Sequence, residues 1–313
     1  MVNAKSIFAV LILFLFIDAG ICQQSNRINA YKNSPQKNLA IARILIGNNA
    51  EDSALVFLNA CLSKRFDNRE ALFLRARIYS NQKIFDKALT DYNSLISLNP
   101  ENKEALYSRG IIRYLLSLFE LALNDFLDVL KLPDGETQTA FFKIDAGSNT
   151  ASGISTISGM ESDLWNNIGL CYHAMGQYEQ AIQSFDKGIK ADENLLDLYI
   201  NRALTFEKSG EIDRAKRDYD FVLSKNPNHA LATYNMLNID KSHNQISDHL
   251  GSLDSFIEEN PSYSMGYEAR GLFYFESNDF ESALSDFKKA VKFKPENIDY
   301  LFNLALCNGK LNK

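Results

Sequence analysis

The apolar positions of this chain follow a repeating frame. An alanine followed four residues later by a large apolar side chain occurs at Ala54/Leu58, Ala88/Tyr92, Ala122/Phe126, Ala181/Phe185, Ala215/Tyr219 and Ala283/Phe287. That spacing places both members on one face of an α-helix. Successive alanines lie 34, 34, 59, 34 and 68 residues apart, so every step is a multiple of 34 except one that carries 25 extra. Pro100, Pro227, Pro261 and Pro295 fall in the same phase, while Pro35 and Pro133 stand at repeat edges. A fixed period of this size predicts stacked helical hairpins, each covering its neighbour, in place of one central core.

The phase defines seven repeats starting near residues 35, 69, 103, 162, 196, 230 and 264, with a half repeat from about 298. Two antiparallel helices approach closely where both present small side chains. Repeat position 8 supplies them as Ala42, Ala76, Gly110, Gly169, Ala203 and Gly271, predicted to face the alanines at position 20. Position 18, in the first turn of the second helix, holds Asp52, Asp86, Glu120, Glu179, Asp213 and Glu281, where negative charge complements the helix dipole. Gly176 and Gly210 precede it at the turn. Arg75, Arg109, Arg202 and Arg270 occupy position 7, and the same four repeats carry Asp91, Asp125, Asp218 and Asp286 at position 23. This co-occurrence predicts a structural ion pair with the Arg fork on the carboxylate.

Within residues 162–195, Trp165, Ile168, Gly169, Tyr172, Ala181 and Phe185 stand at the offsets of the tetratricopeptide repeat, which this unit closely resembles. The resemblance implies an all-α fold, a right-handed superhelical solenoid of about seven helix-turn-helix repeats plus a C-terminal capping helix. The expected division is repeats one to three over 35–133, an insert over 134–161, repeats four to seven over 162–297 and the capping helix over 298–313, after a linker over 23–34. In that family the first helices line the concave surface, so positions 2, 5, 6, 9 and 12 are the ligand-facing candidates. Early repeats offer Leu39, Arg43, Phe73, Arg77, Tyr107, Ile111 and Tyr114; later ones carry Asn167, Asn201, Asn235 and Asn303 at position 6, interrupted by Ala269. A ladder of amides both donates to and accepts from an extended peptide backbone, and resembles the ladder of peptide-binding family members. The carboxylate clamp that holds chaperone tails in some relatives lacks its Lys and Arg here, and the His-Pro-Asp of a J-domain does not occur.

Two places depart from the frame. The sixth repeat puts Leu237 and His249 at the close-contact positions, which predicts splayed helices there. His249 and His243 have no third ligand beside them to build a metal site. The insert is rich in Gly, Ser and Thr after an apolar start at Phe141 and Phe142, and is expected to form a surface loop or small hairpin. Its Asp145 to Thr150 run looks like the phosphate loop of actin-like ATPases, but the insert is too short for the α/β domain that motif needs.

Composition narrows the function. Thirty-three basic against 39 acidic residues give a net charge of -6, which offers no excess of cations for a nucleic acid backbone. The first 22 residues, with Lys5 ahead of an apolar run from Ile7 to Ile17, read as a signal peptide cleaved before Gln23. That run is too short to span a membrane. Cys22 opens the alternative of a lipid-anchored lipoprotein, although Ile21 before it is large for that signal. The terminal Lys310-Leu-Asn-Lys is no retention signal, which favours bacterial export. Cys61, Cys171 and Cys307 lie far apart and are expected as separate buried thiols. No nucleophile has a base at meaningful spacing, so the expectation is a protein-binding scaffold of the cell envelope or exterior. No cofactor, metal or small-molecule substrate is expected, and catalysis is not.

Overall fold

The structure, a computed structural model, describes residues 33–132, 141–144, 151–155, 160–227, 229–242 and 246–312. The signal-peptide reading, Cys22, the Asp145 to Thr150 run and the side chains of Leu237, His243 and His249 lie outside the described residues.

The helices run in pairs: α1 (Pro35–Gly47) with α2 (Glu51–Lys64), α3 (Arg69–Asn81) with α4 (Phe85–Leu98), and α5 (Lys103–Leu115) with α6 (Phe119–Lys131). After a hairpin of β1 (Phe141–Ile144) and β2 (Ala151–Ser155) come α7 (Met160–Ala174) with α8 (Tyr178–Ala191) and α9 (Leu196–Ser209) with α10 (Ile212–Lys225). The last pairs are α11 (Ala230–Ser242) with α12 (Ile246–Glu259) and α13 (Ser264–Glu276) with α14 (Phe280–Phe293), followed by α15 (Ile298–Asn312). The chain divides into two compact units, one holding α1–α6 with β1 and β2, the other α7–α15. Each is a stack of helical hairpins with its own buried apolar interior.

Local sequence sets the helix ends. The Ser34 hydroxyl accepts from the Lys37 amide with Pro35 opening the helix behind it, and the Asn68 and Asn102 side chains cap α3 and α5 by accepting from the amides of Ala71 and Ala105. The turn within each pair needs one left-handed residue. Among the described residues it falls at repeat position 15 of six repeats: Asn49, Lys83, Ser117, Gly176, Gly210 and Asn278 all have φ between 57° and 84°. Glycine marks that turn in two repeats, and elsewhere an L-residue takes the steric penalty.

Packing within a pair rests on a closer approach than two alanines. A Cβ on Gly110 would stand 2.7 Å from the Phe126 ring, one on Gly169 would be 2.5 Å from Phe185, and one on Gly271 would be 2.7 Å from Phe287. Position 8 therefore receives the aromatic ring of position 24 as well as the position 20 alanine. Where position 8 is Ala42, Ala76 or Ala203, position 24 is Leu58, Tyr92 or Tyr219, and all six are buried.

The paired Arg and Asp form a clamp with a wider reach than the spacing predicts. Arg75 Nε and Nη2 donate to Asp91 at 2.8 and 2.7 Å, and Arg109 does the same to Asp125 at 3.0 and 2.6 Å. Arg202 engages Asp218 at 2.8 and 2.7 Å, and Arg270 engages Asp286 at 2.7 and 2.9 Å. In every case Nη1 turns back to position 25 of the preceding repeat: to Asn59 at 2.7 Å, Asn93 at 2.8 Å, Asp186, and Asp254 at 2.6 Å. One guanidinium thus ties its own second helix to the second helix before it. The Asp91, Asp125 and Asp286 side chains are only 1–3% exposed. Burial alone would lower the pKa of Arg202, but the hydrogen bonds and charges of Asp218 and Asp186 outweigh it and raise it.

Two expectations follow. Gly110→Ala forces the Phe126 ring to move and is expected to lower stability in urea unfolding by about 1–3 kcal/mol. Gly47→Ala, whose Cβ meets nothing within 4 Å, should leave it unchanged or raise it. Arg270→Ala leaves the Asp286 carboxylate buried without its fork and is expected to cost about 3–5 kcal/mol. With Asp286→Ala in a double-mutant cycle, a coupling above about 1 kcal/mol supports the clamp, and additivity within about 0.5 kcal/mol denies it.

Candidate peptide-binding surface

The clamp ties each first helix that carries it to two second helices, its own and the preceding one. In the first compact unit, Phe73 is half-buried, met edge-on by Tyr92 at 6.4 Å, with the exposed Arg77 guanidinium 6.0 Å from its ring centre. Arg43 is exposed but engaged, its guanidinium forked on the carboxylate of Glu70 in the next repeat. Leu39 is buried. Tyr107, Ile111 and Tyr114 are only 1%, 4% and 5% exposed. Tyr107 packs edge-on against Phe126 and Tyr114 against Phe119, so neither presents an open aromatic face.

The asparagines correct the sequence reading. Asn167, Asn201 and Asn235 are 1%, 2% and 7% exposed, which removes them from a solvated wall. Asn201 Nδ2 donates to Asn166 Oδ1 of the preceding first helix at 2.8 Å, and Asn235 Nδ2 donates to the Tyr219 hydroxyl at 3.1 Å. Asn303, half-buried, donates to Glu268 at 3.3 Å. Position 6 faces the neighbouring repeat, and amides buried there must bond within the protein. The ladder exists, but it joins adjacent helices instead of offering amides to a ligand.

Residues the sequence reading passed over line the same side of the second compact unit. His173 and Glu207, both at position 12, are half-buried. Thr205 Oγ1 donates to the Asn201 carbonyl, so its contact with His173 Nδ1 at 2.8 Å is a donation from the ring. That leaves Nε2 as the acceptor of a neutral imidazole. Burial, helped by Lys208, pushes the His173 pKa down and favours this neutral form. Burial pushes the Glu207 pKa up, against the hydroxyl of Tyr219 that donates to it. Glu268 is likewise raised by burial, then by the charge of Asp299. Position 12 was named as ligand-facing, and the missed signal was the polar type of residue standing there.

Among the described residues no three His, Cys, Asp or Glu side chains gather as metal ligands, and no helix is long and apolar enough to cross a membrane. Cys61, Cys171 and Cys307 stand as separate buried thiols, and burial pushes the Cys171 pKa up.

Residues 162–195 and 73–136 match the tetratricopeptide repeat family, and residues 271–312 match the TPR repeat family. The TPR repeat-containing protein YpiA of Bacillus subtilis is 27% identical over 46% of this chain and 34% of its own length. Hsp70-Hsp90 organizing protein 3 of Arabidopsis thaliana is 24% identical over 34% of this chain and 19% of its own. A UDP-N-acetylglucosamine--peptide N-acetylglucosaminyltransferase of Giardia intestinalis is 29% identical over 43% of this chain but 9% of its own length. This chain thus spans about a third or less of these relatives. Among solved structures, a tetratricopeptide repeat protein from Parabacteroides merdae superposes with a TM-score of 0.70 at 20% identity, covering 90% of this chain and 99% of that one. PilW, described as a type IV pilus biogenesis factor, gives 0.57 at 17% identity over 74% and 96%. Proteins of this kind generally act as interaction scaffolds that bind protein or peptide segments. Matched families, helix pairing and fold agree that the chain contains tetratricopeptide repeats.

Proposed function

We propose that this chain is a non-catalytic scaffold that holds extended peptide or protein segments against the first helices of its repeats. The observation that carries this reading is the accessible cation and aromatic pair of Arg77 and Phe73 on α3, flanked by the charged Arg43 and Glu70. An exposed guanidinium over a half-buried ring grips a backbone carbonyl and an apolar side chain together, which suits peptide recognition. His173, Glu207 and Glu268 give the second compact unit a different, polar surface, so each has its own ligand preference.

Peptides selected by display on the purified chain are expected to lose at least about tenfold in affinity, roughly 1.4 kcal/mol, when Phe73→Ala and Arg77→Glu are combined. Helical circular dichroism should be unchanged. Peptides that bind the double variant as tightly as the parent chain would sink the assignment.

Residues 1–22, with Lys5 and the apolar run from Ile7, support export to the envelope or exterior as part of this proposal. Cys22 keeps a second reading in play, a lipid-anchored assembly factor of an outer-membrane or secretion machinery. Mass spectrometry of the mature N-terminus separates them: a chain beginning at Gln23 supports free export, and acylated Cys22 supports the anchored form. An intact Met1 would overturn both.

A further inference from the structure

The first helices of repeats two and three share one environment but not one degree of exposure. Helix α3 packs against α2 and α4; α5 packs against α4 and α6 in the same way, and has β1 running beside it as well. Phe73 and Tyr107 hold the same repeat position and make the same edge-on ring contact to their second helices, at 6.4 and 5.7 Å. Yet Phe73 stays half-exposed and Tyr107 is covered. Arg77 is exposed where its counterpart Ile111 is buried, and Tyr114 further along α5 is buried too. The ring contact that Phe73 and Tyr107 share therefore does not by itself account for the burial of Tyr107.

We propose that the β1–β2 hairpin is a built-in ligand of the third repeat, lying on the ligand-facing side of α5 and holding it until a competing extended segment displaces it. The proposal rests on the scaffold reading and names its ligand class: an extended strand with consecutive apolar residues, of the kind Phe141-Phe142-Lys143-Ile144 presents. Three arguments bear on it. A two-stranded hairpin alone is marginal in water and needs packing on another element. Its strands pair antiparallel, from Phe141 opposite Ser155 to Ile144 opposite Ala151, with an irregular register between Phe141 and Lys143. Tyr107, Ile111 and Tyr114 of α5 stand where α3 has Phe73, Arg77 and Ser80, so the buried positions of α5 are the more apolar. An uncovered patch of that kind on a monomer is itself a mark of a binding surface.

The test uses a chain lacking residues 135–159, which restores the 34-residue spacing between Ala122 and Ala181, and a labelled peptide of residues 139–157. Saturable binding of the peptide to the shortened chain is expected, with at least about tenfold weaker binding to the full chain, where the tethered copy competes at high effective concentration. Ile111→Arg in the shortened chain should abolish binding with helix content retained. Absence of binding, equal binding to both chains, or indifference to Ile111→Arg overturns the proposal. Should the shortened chain not fold, the full chain decides. Ile111→Cys and Arg77→Cys, each in a Cys22→Ser background, are expected to differ at least tenfold in maleimide labelling rate, and equal rates overturn it. Display-selected peptides that depend on Phe73 and Arg77 and bind both chain lengths alike, with the 139–157 peptide inert, would retain the scaffold and discard the built-in ligand.

Discussion

Helix pairs in this protein close where an aromatic ring takes the space a Cβ would otherwise fill. The rings of Phe126, Phe185 and Phe287 lie against the backbone of Gly110, Gly169 and Gly271, and where position 8 is an alanine its position 24 counterpart, Leu58, Tyr92 or Tyr219, is buried as well. That approach sets the distance between the two helices of a repeat, and the facing sides of both are then committed to burial. It also fixes where the chain must reverse. Position 15 takes a left-handed conformation in six repeats, even where the residue is Lys83 or Ser117.

Apolar contact alone leaves neighbouring repeats free to slide. The Arg clamp removes that freedom in four of them, since each guanidinium reaches its own second helix through two nitrogens and the preceding one through a third. Planarity matters here: a lysine ammonium could serve as a point charge but could not hold three acceptors in one plane. The carboxylates beneath are almost wholly covered, so the fork also keeps a buried charge paired. Geometry fixed this tightly lets the first helices present a constant register of side chains, the precondition for recognition along an extended ligand.

The proposed recognition surface divides unevenly. Position 6 amides, suited in principle to a peptide backbone, are drawn into contacts with the preceding repeat, Asn201 with Asn166 on its first helix and Asn235 with Tyr219 on its second. Positions 5 and 9 are open on α3 as Phe73 and Arg77 and covered on α5 as Tyr107 and Ile111. Further along, burial pushes the pKa of half-buried His173 down and that of half-buried Glu207 up. Function on such a scaffold resides in these local differences, because the repeat supplies only the frame.

Periodicity by itself determined the class of fold, the boundaries of the helix pairs and the pairing of position 7 with position 23, because those features depend on which residues share a helix face or a hairpin. Ala54/Leu58 and Arg202/Asp218 sit at separations that helix geometry converts directly into contact. Tertiary structure decided the rest: the backward reach of Arg75 to Asn59, the left-handed turn at Lys83, the burial of Asn167, Asn201 and Asn235, and the strand beside α5. Each depends on how one helical hairpin leans on the next, a distance set by side-chain volumes summed over several elements, which spacing along one helix does not encode.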